Sequence, residues 1–399
     1  MFFMKRTLFL ILAALCLCAC DHDEQMAKDR QTVLVYFVGN NSLSNDGIRD
    51  LATIKDNWLP TTRGSDKVLL VYHHFKGETP VLVRLSRDRR GNVVEERIRV
   101  YPDGTNSADA QTLTAVLADA EDAWPTVHHG IILWSHGSGF LPPGYYSHPK
   151  EQGRRLLQKE EDPYAFMVKA GDDAKSFGED DAREMDLLDL TKVLSKFHYD
   201  FVAFDCCLMA NVELAYEMRN ICDYLIFSPT EILTDGFPYK MVMQALFNQP
   251  TEAALRSVAQ GYMEHYRSQT GIYRSATISV VNTYNLPALA EACRPVFHNH
   301  QDEILFLDRS RVQRYFRNDK HWYYDIDDFM QQVATDDEYI TFNRALNQAV
   351  IYRDATEYFL DIPITHYSGL SIYIPRTEYT ILNDYYKKLA WNQATGLMP

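Results

Sequence analysis

Two residues in this chain are placed where side-chain chemistry is easily exposed. His136 ends the apolar run His129-Gly-Ile-Ile-Leu-Trp-Ser-His-Gly-Ser-Gly139, which stops at a glycine turn. Cys207 follows the aromatic and β-branched run Tyr199-Asp-Phe-Val-Ala-Phe-Asp-Cys-Cys-Leu-Met209, with Asp205 two residues ahead of it. A cysteine and a histidine within reach of each other make a nucleophile and a general acid/base. Each has a plainer reading when taken singly: a strand-end cysteine also serves as a small buried hydrophobe, and a lone histidine is often structural. As a pair at the ends of two similar runs, they point to acyl transfer.

Both residues need strands to hold them. The runs 129–135 and 199–204 read as buried strands. After Cys207 the period changes, with Leu208, Val212, Ala215 and Tyr216 at helical spacing. This places Asp205 to Cys207 where a strand ends and a helix begins, the usual position of a site in an open α/β sheet. A helix N-terminus would also lower the thiol pKa. If the two strands are parallel neighbours, their carboxyl ends bring His136 and Cys207 together. Alternation along the strand points Cys206 away from Cys207 and assigns it to packing.

The motifs Trp-Ser-His136-Gly-Ser-Gly and Phe-Asp205-Cys-Cys207-Leu-Met resemble the paired histidine and cysteine motifs of the clostripain-like cysteine peptidases. That family shares its fold with caspases, legumains and gingipains. Thr32-Val-Leu-Val-Tyr-Phe-Val-Gly-Asn-Asn-Ser-Leu resembles the family's opening strand and Asn-rich turn. Ser368-Gly-Leu-Ser-Ile-Tyr-Ile-Pro375 resembles a late strand. The resemblance implies a cysteine endopeptidase with a Cys207–His136 dyad, no third catalytic member and no cofactor required for the chemistry. The N–H groups of Cys207 and Gly137 would form the oxyanion hole. Cys206 stands where relatives usually carry alanine. The loop Ser228-Pro-Thr-Glu-Ile-Leu-Thr-Asp235-Gly-Phe-Pro-Tyr239 departs from the family pattern at Leu233, Thr234 and Phe237, but its aspartate matches Asp235. Carried over, Asp205 and Asp235 would line the first specificity pocket and pair with a substrate Arg or Lys, bidentately for Arg.

Composition sets the outer bounds. The chain has 399 residues, 46% of them hydrophobic, enough to bury a large core. A net charge of −14 disfavours a nucleic-acid partner. Of seven cysteines, Cys16, Cys18 and Cys20 fall in the first twenty residues, which leaves too few elsewhere for a disulfide framework. Lys5 and Arg6 precede the apolar run Leu8–Ala19, which ends Leu-Cys-Ala-Cys20. That resembles a lipoprotein signal with Cys20 as the lipidated residue, a plain secretory signal being the other reading. The expected location is the cell envelope, at the outer membrane or surface of a Gram-negative bacterium.

Between the two motifs lies a long polar region, 141–184. It carries Lys150, Arg154, Arg155, Lys159 and Lys169, and acidic clusters at 160–162, 172–173 and 179–181. A loop this long is either functional or solvated. Family members are typically processed at a basic residue here and several bind calcium, so the resemblance makes the basic residues candidate cleavage points and the carboxylates a possible calcium set. No EF-hand spacing is present, and no residue is assigned as a metal ligand.

The resulting expectation is an α/β fold: a caspase-like, mostly parallel sheet flanked by helices, with an α-rich C-terminal region. Its parts are a signal peptide at 1–19, a linker at 20–31, a peptidase core at 32–285 and a C-terminal region at 286–399 packed on the core. Helices are expected over 108–122, 185–196, 285–299 and 322–334, a pair over 237–269, and a late strand at 370–374. The expected activity is hydrolysis of peptide bonds after Arg or Lys. A non-catalytic surface-binding lipoprotein on the same fold is the alternative, and a carbohydrate- or adhesion-related surface protein is the third reading.

Overall fold

The computed structural model describes residues 30–62, 66–146, 150–151, 154–155, 163–164, 167–169, 177–181, 183–318 and 320–399. In chain order the first elements are β1 (Gln31–Gly39), α1 (Ser44–Asp56), β2 (Lys67–Phe75), β3 (Val81–Arg87), β4 (Val93–Val100), α2 (Ala110–Ala123) and β5 (His128–Trp134). The middle of the chain holds a short hairpin, β6 (Lys150–Glu151) and β7 (Arg154–Arg155). It continues with β8 (Phe177–Asp180), β9 (Arg183–Met185), α3 (Leu187–Leu194), β10 (Tyr199–Asp205), α4 (Val212–Glu217) and β11 (Cys222–Phe227). Then come α5 (Tyr239–Asn248), α6 (Thr251–Arg267), β12 (Thr277–Asn282), α7 (Leu286–Asn299), β13 (Tyr324–Asp325), α8 (Ile326–Val333), α9 (Asp336–Ala349) and β14 (Val350–Ala355). The last strands are β15 (Tyr358–Phe359), β16 (Ile362–Pro363) and β17 (Ser371–Ile372).

Nine strands form the main sheet in the order β14-β12-β11-β10-β5-β1-β2-β3-β4. The five strands from β11 to β2 run parallel, and the outer pairings are antiparallel. The parallel strands are continuous apolar runs because helices cover both faces; Val33 to Val38 and Ile131 to Trp134 are all buried. The helices follow the spacing of their apolar residues. In α2, Leu113, Val116, Leu117 and Ala120 face the core, and Asp109 caps the first turn.

The register fixes the site. Asp205 of β10 pairs with Trp134 of β5, and Phe37 of β1 pairs with the same Trp134. The residues just beyond these three strands therefore meet at one edge: Asn40 to Ser42, Ser135 to Gly137, and Cys206 to Cys207.

Four elements differ from expectation. No helix starts at Cys207: residues 207–210 turn, Leu208 takes a positive φ of 63°, and α4 begins only at Val212, capped by the Asn211 side chain. The helix-dipole argument for the thiol is thereby removed. The expected helix over 322–334 begins at Ile326, because Asp325 accepts from the N–H groups of Asp327 and Asp328 and caps it there. The α-rich region also supplies β14, which pairs with β12 and extends the main sheet. The late strand is shortened to β17 and pairs with β13 instead; Ser371 N–H donates to Ala210 O, which ties it to the loop after Cys207.

Candidate active site

His136 is 1% exposed at the end of β5. Its Nδ1–H donates to the carbonyl oxygen of Lys169. Its other nitrogen, Nε2, lies 2.9 Å from Ser42 Oγ and 3.7 Å from Glu179 Oε2. Gly137 packs directly on the cysteine loop. A Cβ built there would lie 2.8 Å from Cys206 Cβ and 2.8 Å from Cys207 O, so only glycine lets the two motif backbones touch.

Cys207 is fully buried. Its Sγ accepts from Ile232 N–H at 3.1 Å and its thiol faces Ile232 O at 3.7 Å. Burial pushes the thiol pKa well above its ordinary value, and the Glu231 carboxylate raises it further. In this state Cys207 is a covered thiol, held toward its protonated form by burial. Cys206 turns the other way and donates to Leu133 O at 3.2 Å, and burial holds it protonated too.

Asp205 is buried with no exposed surface and faces Lys169, also fully buried, with Nζ 2.7 Å from Oδ1. This is a charge contact without an aligned hydrogen bond, since neither atom has a hydrogen-bond partner among the described residues. The second oxygen, Oδ2, accepts from Tyr239 OH at 3.1 Å and Phe237 N–H at 3.3 Å. Lys169 Nζ also lies 4.6 Å from the centre of the Trp134 ring, within cation–π range. The indole N–H of Trp134 donates to Asp50 at 2.8 Å. Gly236, at φ +59°, forms the wall: a Cβ there would come within 2.5 Å of Lys169 Nζ.

The backbone before Lys169 lies along the loop after β11. Lys169 N–H donates to Ile232 O at 2.8 Å and Thr234 N–H donates to Met167 O at 2.9 Å. Val168 and Leu233 form an antiparallel bridge. Residues 167–169 thus lie along the loop at 232–234 through one antiparallel bridge and two backbone hydrogen bonds, the kind of main-chain pairing a bound peptide makes.

Asp235 sits at the rim beside Gly236, within electrostatic reach of Lys169. Its side chain is 62% exposed and it pairs with His265 at 3.8 Å, which holds its carboxyl below the usual range. The structure brings together Asp205, His136 and Cys207, with Gly137 against Cys207, and leaves Asp235 at the rim. The sequence alone does not single out Trp134, Tyr239, Gly236, Ser42 or Glu179. Of these, Trp134 stands inside the histidine motif and Gly236 beside Asp235, and that adjacency is the available signal. Lys169 is one of seven Lys and Arg residues in 141–184, and nothing local distinguishes it.

The acidic clusters at 160–162 and 172–173 lie outside the described residues. Asp180 is taken up by His74 at 2.7 Å, Asn40 at 2.8 Å and Ser107 N–H at 2.6 Å. Among the described residues, Asp325, Asp327 and His366 come close enough to hold a metal ion. The two carboxylates already accept from Tyr315, Ser368, Tyr339, Asn343 and Gln331, which marks a hydrogen-bond node.

A sequence model described as the clostripain family, peptidase C11, matches residues 35–155 and 165–396. The chain belongs to the clostripain family. It is a clostripain-like cysteine peptidase by that membership. The protein is similar to an inactive zymogen C11 protease from Parabacteroides distasonis, at 32% identity and TM-score 0.74, over 92% of this chain and 98% of that one. It is similar to a secreted C11 cysteine protease from Bacteroides thetaiotaomicron in complex with an irreversible peptide inhibitor, at 28% identity and TM-score 0.74, over the same shares. No curated protein sequence matches the chain.

Proposed function

We propose that this clostripain-family peptidase hydrolyses peptide bonds after lysine or arginine with Cys207 as nucleophile and His136 as general acid/base. The observation that carries the reading is Lys169: its ammonium rests on Asp205 while its carbonyl oxygen meets His136. A basic side chain and the bond after it thus occupy the places a substrate needs. We read the chain as a precursor whose own segment fills the groove, with self-cleavage after Lys169 emptying it. Lys159 lies outside the described residues, as do the side chains of Lys150, Arg154 and Arg155, so the cleavage point rests on Lys169.

Cys207 would pass its proton to His136 Nδ1, with Nε2 keeping its own hydrogen toward Ser42 and Glu179, and attack the carbonyl carbon. Negative charge on the carbonyl oxygen would be met by the N–H groups of Cys207 and Gly137, an arrangement in which each donor is worth about 3 kcal/mol. His136 Nδ1–H would then protonate the departing amine, leaving an acyl-enzyme thioester. Water, deprotonated by His136, would release the acid and restore the thiol. Asp205 supplies the charge that selects a basic residue, and a neutral one would leave that buried carboxylate unpaired.

The N-terminal segment supports a second part of the reading, lipid attachment at Cys20 and a place in the cell envelope. Residues 1–29 lie outside the described residues, and among those described no helix is long and apolar enough to cross a membrane.

A panel of fluorogenic peptides differing at the residue before the cut, assayed on wild type and Cys207→Ala, tests the activity. The expected result is cleavage of Lys and Arg substrates at least about a hundredfold above neutral ones, roughly 2.7 kcal/mol, and none by Cys207→Ala. Preference for an acidic or large apolar residue would overturn the pocket. Full activity of Cys207→Ala would overturn the nucleophile.

A further inference from the structure

We propose that Ser42 and Glu179 position His136: they hold its Nε2 edge so that Nδ1 faces the scissile bond, and Glu179 stabilises the imidazolium formed during proton transfer. This rests on His136 being the general acid/base. The two ring nitrogens face different surroundings. Nδ1 meets the filled groove at Lys169 O, and Nε2 meets Ser42 Oγ at 2.9 Å and Glu179 Oε2 at 3.7 Å. In the neutral ring that acts as base, Nε2–H points to Ser42 Oγ and Nδ1 is the acceptor that takes the thiol proton, which then becomes the proton the leaving amine needs. In the imidazolium, Nε2–H donates outward and the carboxylate opposes the new charge. The partner of one histidine nitrogen fixes the tautomer and basicity of the other.

Glu179 is not a loosely held surface acid. Its side chain is 13% exposed. Its N–H donates to Ser135 Oγ at 3.2 Å and its carbonyl accepts from Asn41 at 2.7 Å. Gly178 N–H donates to His136 O at 3.0 Å. The same Asn41 accepts from Leu43 N–H at 2.8 Å and so shapes the turn that carries Ser42. One asparagine therefore ties together the two segments that meet Nε2. Among the described residues, Asp180 faces His74, Lys169 faces Asp205, and Cys207 faces Ile232.

Chain order adds a consequence. Glu179 comes after Lys169 in sequence and is anchored through β8 and Asp180 rather than through the plug. A cut after Lys169 separates the two in the chain. Residues 167–169 are then free to leave the groove while Glu179 stays on the anchored side, beside His136.

The test uses the full chain and its self-processed form, with Glu179→Gln, Ser42→Ala and Ser42→Thr, and a lysyl fluorogenic peptide across pH. Expected for Glu179→Gln is a kcat about tenfold lower with KM within about twofold, and an acid limb of kcat/KM about one pH unit lower. The direction is downward because losing the carboxylate makes the imidazolium a stronger acid. Ser42→Ala should lower kcat about three- to tenfold, and Ser42→Thr should restore most of it. If a variant processes too slowly to accumulate, the pH dependence of self-cleavage in the intact chain gives the same readout. Wild-type kcat and an unmoved acid limb in both variants would overturn the proposal, as would a loss confined to KM. Those outcomes with an active wild type and an inactive Cys207→Ala leave the dyad standing. An inactive wild type, or an active Cys207→Ala, would instead overturn the reading on which the proposal rests.

Discussion

Lys169 with Asp205 and Arg317 with Glu231 are both buried ion pairs near the Cys207 loop, and they are built differently. Arg317 meets Glu231 through Nε at 2.5 Å and Nη2 at 3.1 Å, and Tyr146 adds a third hydrogen bond at 3.1 Å. Lys169 meets Asp205 at one short charge contact without aligned hydrogen bonds. The first is a bidentate fork that fixes geometry, and it holds the segment around residue 317 against the loop preceding Ile232. The second is a point charge in a socket. A socket of that kind suits an occupant that has to be exchanged, whereas the fork suits a permanent strut.

The largest effect expected from disrupting this contrast is on the strut. Arg317→Met would leave Glu231 buried and unpaired and should cost about 3–5 kcal/mol, read as a fall in the denaturation midpoint. Adding Glu231→Leu should recover much of it, because removing both charges also removes the desolvation cost. Failure of the double variant to recover would contradict the strut.

Substitution in the socket should act on turnover more than on folding. Asp205→Ala should lower kcat/KM for lysyl and arginyl peptides by about a thousandfold, roughly 4 kcal/mol. Asp235→Ala should cost only a few-fold, because an exposed pair is worth about 0–1 kcal/mol. Equal losses from the two would return Asp235 to the pocket.

A third buried carboxylate, Glu213, is held without a cation. It accepts from Tyr373 N–H at 2.9 Å and Tyr386 OH at 3.0 Å. Burial raises its pKa from 4.5 to about 7. Its folded pKa exceeds the unfolded one, so the folded state holds the proton more tightly. Stability is therefore lost as pH rises from about 4.5 to 7, by about 3 kcal/mol in all. Glu213→Gln should flatten that slope in denaturant titrations at several pH values; an unchanged slope would contradict the assignment.

Much of the site is legible in the sequence, and the reason is local. The strands 129–135 and 199–204 announce themselves by continuous apolar runs, and their parallel pairing puts His136 and Cys207 at one edge. The segment after Cys207 departs from its apparent pattern: Leu208, Val212 and Ala215 keep helical spacing while the chain first turns through a positive φ at Leu208. β14 is hard to see because it continues from α9 without a break and is mostly half-buried. Lys169 and Glu179 stand out only as members of charged clusters. Their roles come from contacts with His136, which lies 33 positions before Lys169, and no local pattern encodes such a contact. Asp235 matches a motif, and its outward turn toward His265 is a tertiary fact.

N-terminal sequencing of the fragments formed when purified full-length protein is incubated probes the filled groove without any added substrate. Expected is one principal cut after Lys169, giving a new chain that begins Ala170-Gly-Asp, in wild type and not in Cys207→Ala or Lys169→Ala. A principal cut at another residue, or the same cut in Cys207→Ala, would contradict self-cleavage by the Cys207–His136 dyad at the Asp205 socket.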